Sequence, residues 1–233
     1  QLLNKLICRL EDSDTGKIEL KNLNVEIPDE RKVQALEMVE CLGNWEEEFP
    51  WYGNTKPSTS DSYESMLNRT WRPTMTVIGI DGIPPIKDGG NVLLPFSAAN
   101  LSFRLPPTAD SKKAMREVEK TLLSDPPNSC EVSIKWEKAA NGWNAPSCKP
   151  WLNDAINESS KEVFGKPARA MGEGGTIPFM AMLGERYPQA QFVITGLLGP
   201  NSNAHGPNEF IHIPFAKRLN TCIALILSNY QKN

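Results

Sequence analysis

The chain reads as an α/β protein, on two observations. Helical and strand periodicities alternate in the order helix, strand, strand, helix, strand up to Trp136. Further on, an apolar run, Q-F-V-I-T-G-L-L from Gln191, ends in a loop rich in Asn, Gly and Pro before a last helix. The first order becomes the βαββαβ pattern of a ferredoxin-like α+β sandwich if one strand precedes Gln1.

Each element has its own signal. In Q-L-L-N-K-L-I-C-R-L, Leu2, Leu3, Leu6, Ile7 and Leu10 fall at helical spacing, which predicts an amphipathic helix with Lys5 and Arg9 in solvent. Gln1 is not Met and the helix is already in progress, so the sequence reads as truncated at its start. A second helix is predicted over 28–42, opening on Pro and acidic residues and ending at Gly43. Residues 44–69 are polar, aromatic and acidic and read as a long excursion with one short helix. T-M-T-V-I-G-I after Pro73 is a strand by its β-branched content, and N-L-S-F-R-L over 100–105 alternates apolar with polar. Residues 109–123 return to helical spacing through Met115, Val118 and Leu122, and C-E-V-S-I-K-W from Cys130 alternates as a third strand. The Gly/Pro/Asn-rich stretch after Trp136 reads as a linker and places a boundary near residue 142. Helices follow over 151–164, after the glycine turn at 174–175, and over 214–230, with Q-F-V-I-T-G-L-L as a buried parallel-type strand between the last two.

At 233 residues, 39% apolar and 23% charged, the chain can bury a real core without disulfide staples. A net charge of −3 with scattered Lys and Arg argues against nucleic acid or an anionic membrane as partner. The five cysteines are odd in number and lack metal-finger spacing, which fits a reducing, cytoplasmic setting. No apolar run approaches the roughly 20 residues of a membrane span.

Three places invite chemistry. His205, in A-H-G-P-N-E, is one of two histidines and sits where the backbone turns sharply; it is either a solvated loop residue or an imidazole offered to a metal. His212 alternates with Ile211 and Ile213 and reads as a satisfied or surface histidine. G-E-G-G-T-I-P over 172–178 is either a tight turn with Thr176 as helix cap or an anion-holding turn. Arg104 shares strand parity with Ser102 and Asn100, so it faces solvent or reaches over a cleft to grip a carboxylate in a bidentate pair. There is no G-x-S-x-G elbow, P-loop or dinucleotide fingerprint, and His205 has no H-x-x-x-H partner.

Taken in order, W-R-P-T at 71–74, N-L-S-F-R-L-P-P ending at Pro107, V-F-G-K-P, M-G-E-G-G-T-I-P and A-H-G-P-N-E resemble the carnosinase branch of the di-zinc metallopeptidases. That family includes cytosolic non-specific dipeptidases, aminoacylases and succinyl-diaminopimelate desuccinylases, and the resemblance spans nearly the whole chain. It implies a ferredoxin-like lid and dimerisation domain over 1–142, lacking its first strand, and the C-terminal part of an α/β metal-binding catalytic domain over 143–233. It implies two divalent metal ions, Zn or Mn, with His205 the one ligand in this chain and the general base outside it. Arg104 becomes the clamp for a substrate carboxylate. Gly175 and Thr176 contact the same end of the substrate, Glu173 lies beside the metals or receives the substrate amino group, and Asn91 sits near the oxyanion. Where the dipeptidases often carry a histidine in H-G-G, this chain reads N-G-W, so Asn141 takes that place. The implied activity is hydrolysis of small peptides with a free C-terminal carboxylate, by a homodimer joined through the lid. A deacylase acting on N-acyl amino acids, and a non-catalytic dimerising lid fragment, are the alternatives.

Overall fold

In the computed structural model, residues 1–173 and 178–230 are described. By its contacts the chain divides into two units, one of Gln1–Asn144 with Met171–Ala181, the other of Ala145–Ala170 with Met182–Asn233.

The first unit is built on a two-stranded antiparallel sheet. Strand β1, Thr74–Asp81, pairs with β2, Ala98–Arg104, with Thr74 opposite Arg104 and Val77 opposite Leu101; the register slips between Val77 and Gly79. Burial along β2 alternates as its sequence requires: Leu101 and Phe103 are half-buried and turn to the core, while Ser102 and Arg104 are exposed. The connection over 82–97 leaves β1 at Gly82, whose φ is +76°; a Cβ there would lie 2.5 Å from the Phe96 carbonyl oxygen, so only glycine fits.

Two helices back the sheet. Helix α1, Leu2–Ile7, buries Leu6 and leads to Leu10, and α4, Ser111–Leu123, buries Ala114 and Val118. Leu10, Ile18, Leu23, Ala114 and Val118 form the core on which Leu101, Phe103 and Trp136 pack. Arg9 is half-buried and tethered, not free in solvent as its spacing predicted. Its guanidinium donates to the carbonyls of Ser124 and Asp125, each at 2.6 Å, just past the end of α4. The Ser124 carbonyl, at the C-cap, is one that the helix terminus leaves without an internal partner, and a cation there also complements the helix dipole. Glu117 answers from the other side, accepting from the N–H groups of Lys21 and Asn22. Helices α2, Asp29–Leu42, and α3, Ser62–Thr70, make a smaller cluster around Ala35, Met66 and Leu67.

Asp110 caps α4 by accepting from the N–H groups of Lys113 and Lys112. These bonds, the Lys113 one foremost, with Lys113 and Arg116 adding positive charge, hold its carboxyl below the ordinary aspartate range. A depressed folded-state value means that the cap's contribution is present above the unfolded value and is lost as pH falls through the folded one. Wild type and Asp110→Asn should therefore converge in stability as pH drops below about 4, read from urea midpoints at a series of pH values.

In the second unit α5, Pro150–Phe164, packs on α7, Ile213–Tyr230, through Leu152, Ala155 and Ile226. Trp151 stacks at a tilt on Tyr230 and Phe164 on Phe215, with ring centroids 5.3 and 5.4 Å apart. Helix α6, Pro178–Arg186, is divided by the contacts, with its residues up to Ala181 in the first unit and those from Met182 in the second.

Two predicted strands are not strands here. Residues 130–136 keep the expected alternation, with Val132, Ile134 and Trp136 half-buried and Glu131, Ser133 and Lys135 exposed, yet they pair with no strand. The run 191–198 likewise joins no sheet among the described residues and leaves Val193 and Ile194 exposed instead of buried. The reason is the same in both cases. A strand exists only through a ladder of hydrogen bonds to a neighbouring strand, and among the described residues neither segment belongs to a sheet. No helix among the described residues is long and apolar enough to cross a membrane.

Candidate functional site

In the first unit, β2, residues 130–138 and the helices α1 and α4 line one cavity of about 1350 Å³. Arg104 lies on its wall as the last residue of β2, exposed, and no ion pair or hydrogen bond holds its guanidinium among the described residues. Arg72, at the same cavity, is committed to Glu64 at 2.6 Å and Asn68 at 2.7 Å. Glu173 also lines it, with a carboxylate oxygen 3.9 Å from the Arg69 guanidinium. The structure thus brings Arg104 and Glu173 to one cavity, and adds Arg69 and Arg72. No local pattern marked the Arg69–Glu173 pair, because the two lie far apart in sequence.

The other candidates in this unit stand apart. Asn91 is exposed in the 82–97 connection, beside but not among the cavity residues. Asn141 uses its Oδ1 to accept from the Ser111 N–H at 2.9 Å, in the first turn of α4, which ties its side chain to the start of that helix. Its neighbour Gly142 is pressed against Pro107, where a Cβ would come within 2.6 Å of a backbone carbon. Gly175 and Thr176 fall in 174–177, outside the described residues.

His205 belongs to the second unit. Its loop is held by local bonds: Ser202 Oγ donates to the Gly199 carbonyl, Asn203 Nδ2 to the Pro207 carbonyl, and the Gly206 N–H to the Asn203 carbonyl. Asn201, Asn203, His205 and Asn208 all take positive φ, between 54° and 63°, a region that Asn and His enter more readily than most residues. The His205 N–H donates to a Glu209 carboxylate oxygen at 2.7 Å. The exposed imidazole has no partner among the described residues. Glu209, present in the sequence only as the end of A-H-G-P-N-E, is therefore what fixes the histidine backbone; its signal was an acid four residues on in a turn-rich segment. His212 instead accepts from the Phe215 N–H through Nδ1 at 3.3 Å, at the start of α7, as a satisfied histidine does.

Chemically, these residues offer an exposed guanidinium in the first unit and an exposed imidazole in the second. Among the described residues no group of three or more His, Cys, Asp or Glu lies close enough to hold a metal ion. His205 fits as one ligand of a tetrahedral or similar site, and the rest of such a site is not supplied by the described residues.

Comparison with known proteins gives the context. The model of peptidase family M20/M25/M40 matches residues 17–229. A cysteinylglycine-S-conjugate dipeptidase of Corynebacterium striatum is 26% identical over 156 residues, covering 63% of this chain and 33% of that protein. Among solved structures, the di-peptidase Dug1p of Saccharomyces cerevisiae superposes with a TM-score of 0.71 at 18% identity, covering 100% of this chain and 48% of its own. Human carnosine dipeptidase 1 gives 0.69 at 18% identity, over 99% of this chain and 49% of its own. A metallo-carboxypeptidase of Sulfolobus solfataricus gives 0.66 at 22% identity, over 97% and 51%. The chain therefore spans about half the length of these solved structures and a third of the curated relative, and at these identities the structural likeness speaks for the fold.

Proposed function

Because the chain belongs to peptidase family M20/M25/M40, we propose that it is the C-terminal part of a metal-dependent dipeptidase that hydrolyses small peptides carrying a free C-terminal carboxylate. The observation that carries the substrate half of this reading is the Arg104 guanidinium, exposed at a cavity wall with no counter-ion among the described residues. A planar fork of donors in that state suits a carboxylate, which it binds in two parallel charge-assisted hydrogen bonds. The dipeptidase name of the Corynebacterium striatum relative supports the same substrate class.

Divalent ions, Zn or Mn, would lower the pKa of a bound water and polarise the scissile carbonyl. His205 presents its imidazole for that purpose from a loop pinned by Glu209. Glu173, which lines the Arg104 cavity, would accept a hydrogen bond from a substrate amino group. Residues 1–142 serve as lid and 143–233 as part of the catalytic domain in a cytoplasmic homodimer. The exposed Ile78, Ile80 and Ile83 around the end of β1 supply apolar surface for the lid contact.

The test is hydrolysis by the full-length gene product of dipeptides, their C-terminal amides and N-acyl amino acids, each with added Zn²⁺ or Mn²⁺ and after chelation. Metal-dependent turnover of the free dipeptides above their amides is expected. Equal turnover of amides, or preference for N-acyl amino acids, would overturn the dipeptidase reading.

A further inference from the structure

We propose that helix α3 is the seat of the Glu173 segment, and that Arg69, near the end of α3, is the residue that positions the Glu173 carboxylate. The inference rests on the proposed role of Glu173 toward a substrate amino group, while the contact with α3 stands on geometry alone.

Glu173 has little of its own to hold it. In M-G-E-G-G it lies between glycines, which bring no side chain to pack and leave the backbone many conformations. Its side chain is 69% exposed. A carboxylate that must meet a substrate in one geometry is then steadied from outside its own segment. The contacts show from where. The chain on either side, Ala145–Ala170 and Met182–Asn233, forms the second unit, yet Met171–Ala181 groups with the first. Gly172 lies against Thr70, the last residue of α3: a Cβ on this glycine would come 3.1 Å from the Thr70 Cβ and 3.3 Å from its Cγ2. The next residue along, Glu173, has a carboxylate oxygen 3.9 Å from the Arg69 guanidinium. Two consecutive residues of the segment thus meet two consecutive residues of the helix.

Helix α3 is suited to be a support because it is fixed at both ends and along its buried side. Asp61 caps its start by accepting from the N–H groups of Tyr63 and Glu64. Met66 and Leu67 are buried with Ala35 of α2. From just past its end Arg72 reaches back to Glu64 and Asn68, at 2.6 and 2.7 Å. The last turns therefore divide their work: Met66 and Leu67 enter the core, and Arg69 and Thr70 meet the glutamate segment. An ion pair between groups this exposed changes an equilibrium by at most about fivefold. Arg69 is thus a guide that narrows the positions open to Glu173, with Thr70 fixing the backbone one residue before it.

Steady-state kinetics of the full-length protein tests the guide. Arg69→Ala should lower kcat/KM on free dipeptides about two- to fivefold, chiefly through KM. Arg69→Glu, which sets like charges face to face, should lower it by about tenfold or more. Arg69→Lys should keep most of the wild-type value. N-acetyl dipeptides offer no ammonium to Glu173 and should hardly respond to any of the three. In a Glu173→Gln background the Arg69 changes should add no further loss, since two residues that act through one contact are not additive. A loss that persists in that background, or that is equal on the acetylated substrates, would overturn the assignment, because Arg69 would then support the fold and not the carboxylate.

The seat itself is tested without reference to activity. Thr70→Cys combined with Gly172→Cys in the full-length protein sets two Cβ atoms about as close as a disulfide needs, roughly 3.5–4.5 Å. Oxidised glutathione should join them, read as a cross-linked peptide that a reductant separates. No cross-link in the folded protein would overturn the seat. So would turnover lost on oxidation and regained on reduction, since the segment would then act away from α3. A cross-link in a protein that hydrolyses none of the test substrates would leave the seat standing and remove the dipeptidase reading.

Discussion

His205→Ala in the full-length protein is expected to lower dipeptide hydrolysis by at least about 100-fold, since even partners that only orient a metal ligand cost 10–100-fold when removed. Metal content measured on the purified variant should fall by one ion per subunit. The expectation rests on an imidazole that nothing else in the described chain uses and on a loop that fixes its backbone: an N–H bonded to Glu209 at 2.7 Å and four non-glycine residues at positive φ within eight positions. Holding residues other than glycine there costs conformational energy, and such strain gathers at functional sites. Glu209→Gln keeps an acceptor for that N–H and should retain most activity. A His205→Ala protein with full activity and full metal content would remove the ligand assignment.

Arg104→Ala should reduce kcat/KM on free dipeptides by about 10- to 100-fold, the range expected when a charge-assisted hydrogen-bonding group worth roughly 1.5–3 kcal/mol is lost. Dipeptide amides, already poor substrates, should hardly change, so the ratio between the two substrates is the informative quantity. Arg104→Lys should recover only part of the loss, because an ammonium cannot reproduce the two-pronged geometry. The side chain is exposed at the end of β2 and pairs with nothing in the described chain, so thermal stability should stay near that of the wild type. Equal losses on acid and amide would mean that Arg104 does not read the carboxylate.

How much of this was legible in the sequence depends on the range of the forces involved. Helices are local objects, and 151–164 was readable to within a residue of the observed Pro150–Phe164. Strands are not local. The alternation over 130–136 is present in the burial pattern, but the ladder depends on a partner that residues 130–136 cannot specify. Arg9 shows the same limit from the side of charge: helical spacing placed it outward, and carbonyls more than 100 residues away took it up. Asn141 was read for its chemistry, yet its Oδ1 is engaged at the start of α4. The His205 loop was legible because its unusual backbone demands residues, Asn and Gly above all, that announce it.

The Arg9 clamp bears on where the polypeptide can be cut. A trypsin-like protease must draw an arginine head group into its own acidic pocket, and that of Arg9 is held by two carbonyls at 2.6 Å beyond α4. Lys5, exposed on α1, carries no such tether among the described residues. Nicking near the start of this chain therefore falls on the lysine first, and the stretch from Leu6 onward stays anchored to the body of the unit after the cut.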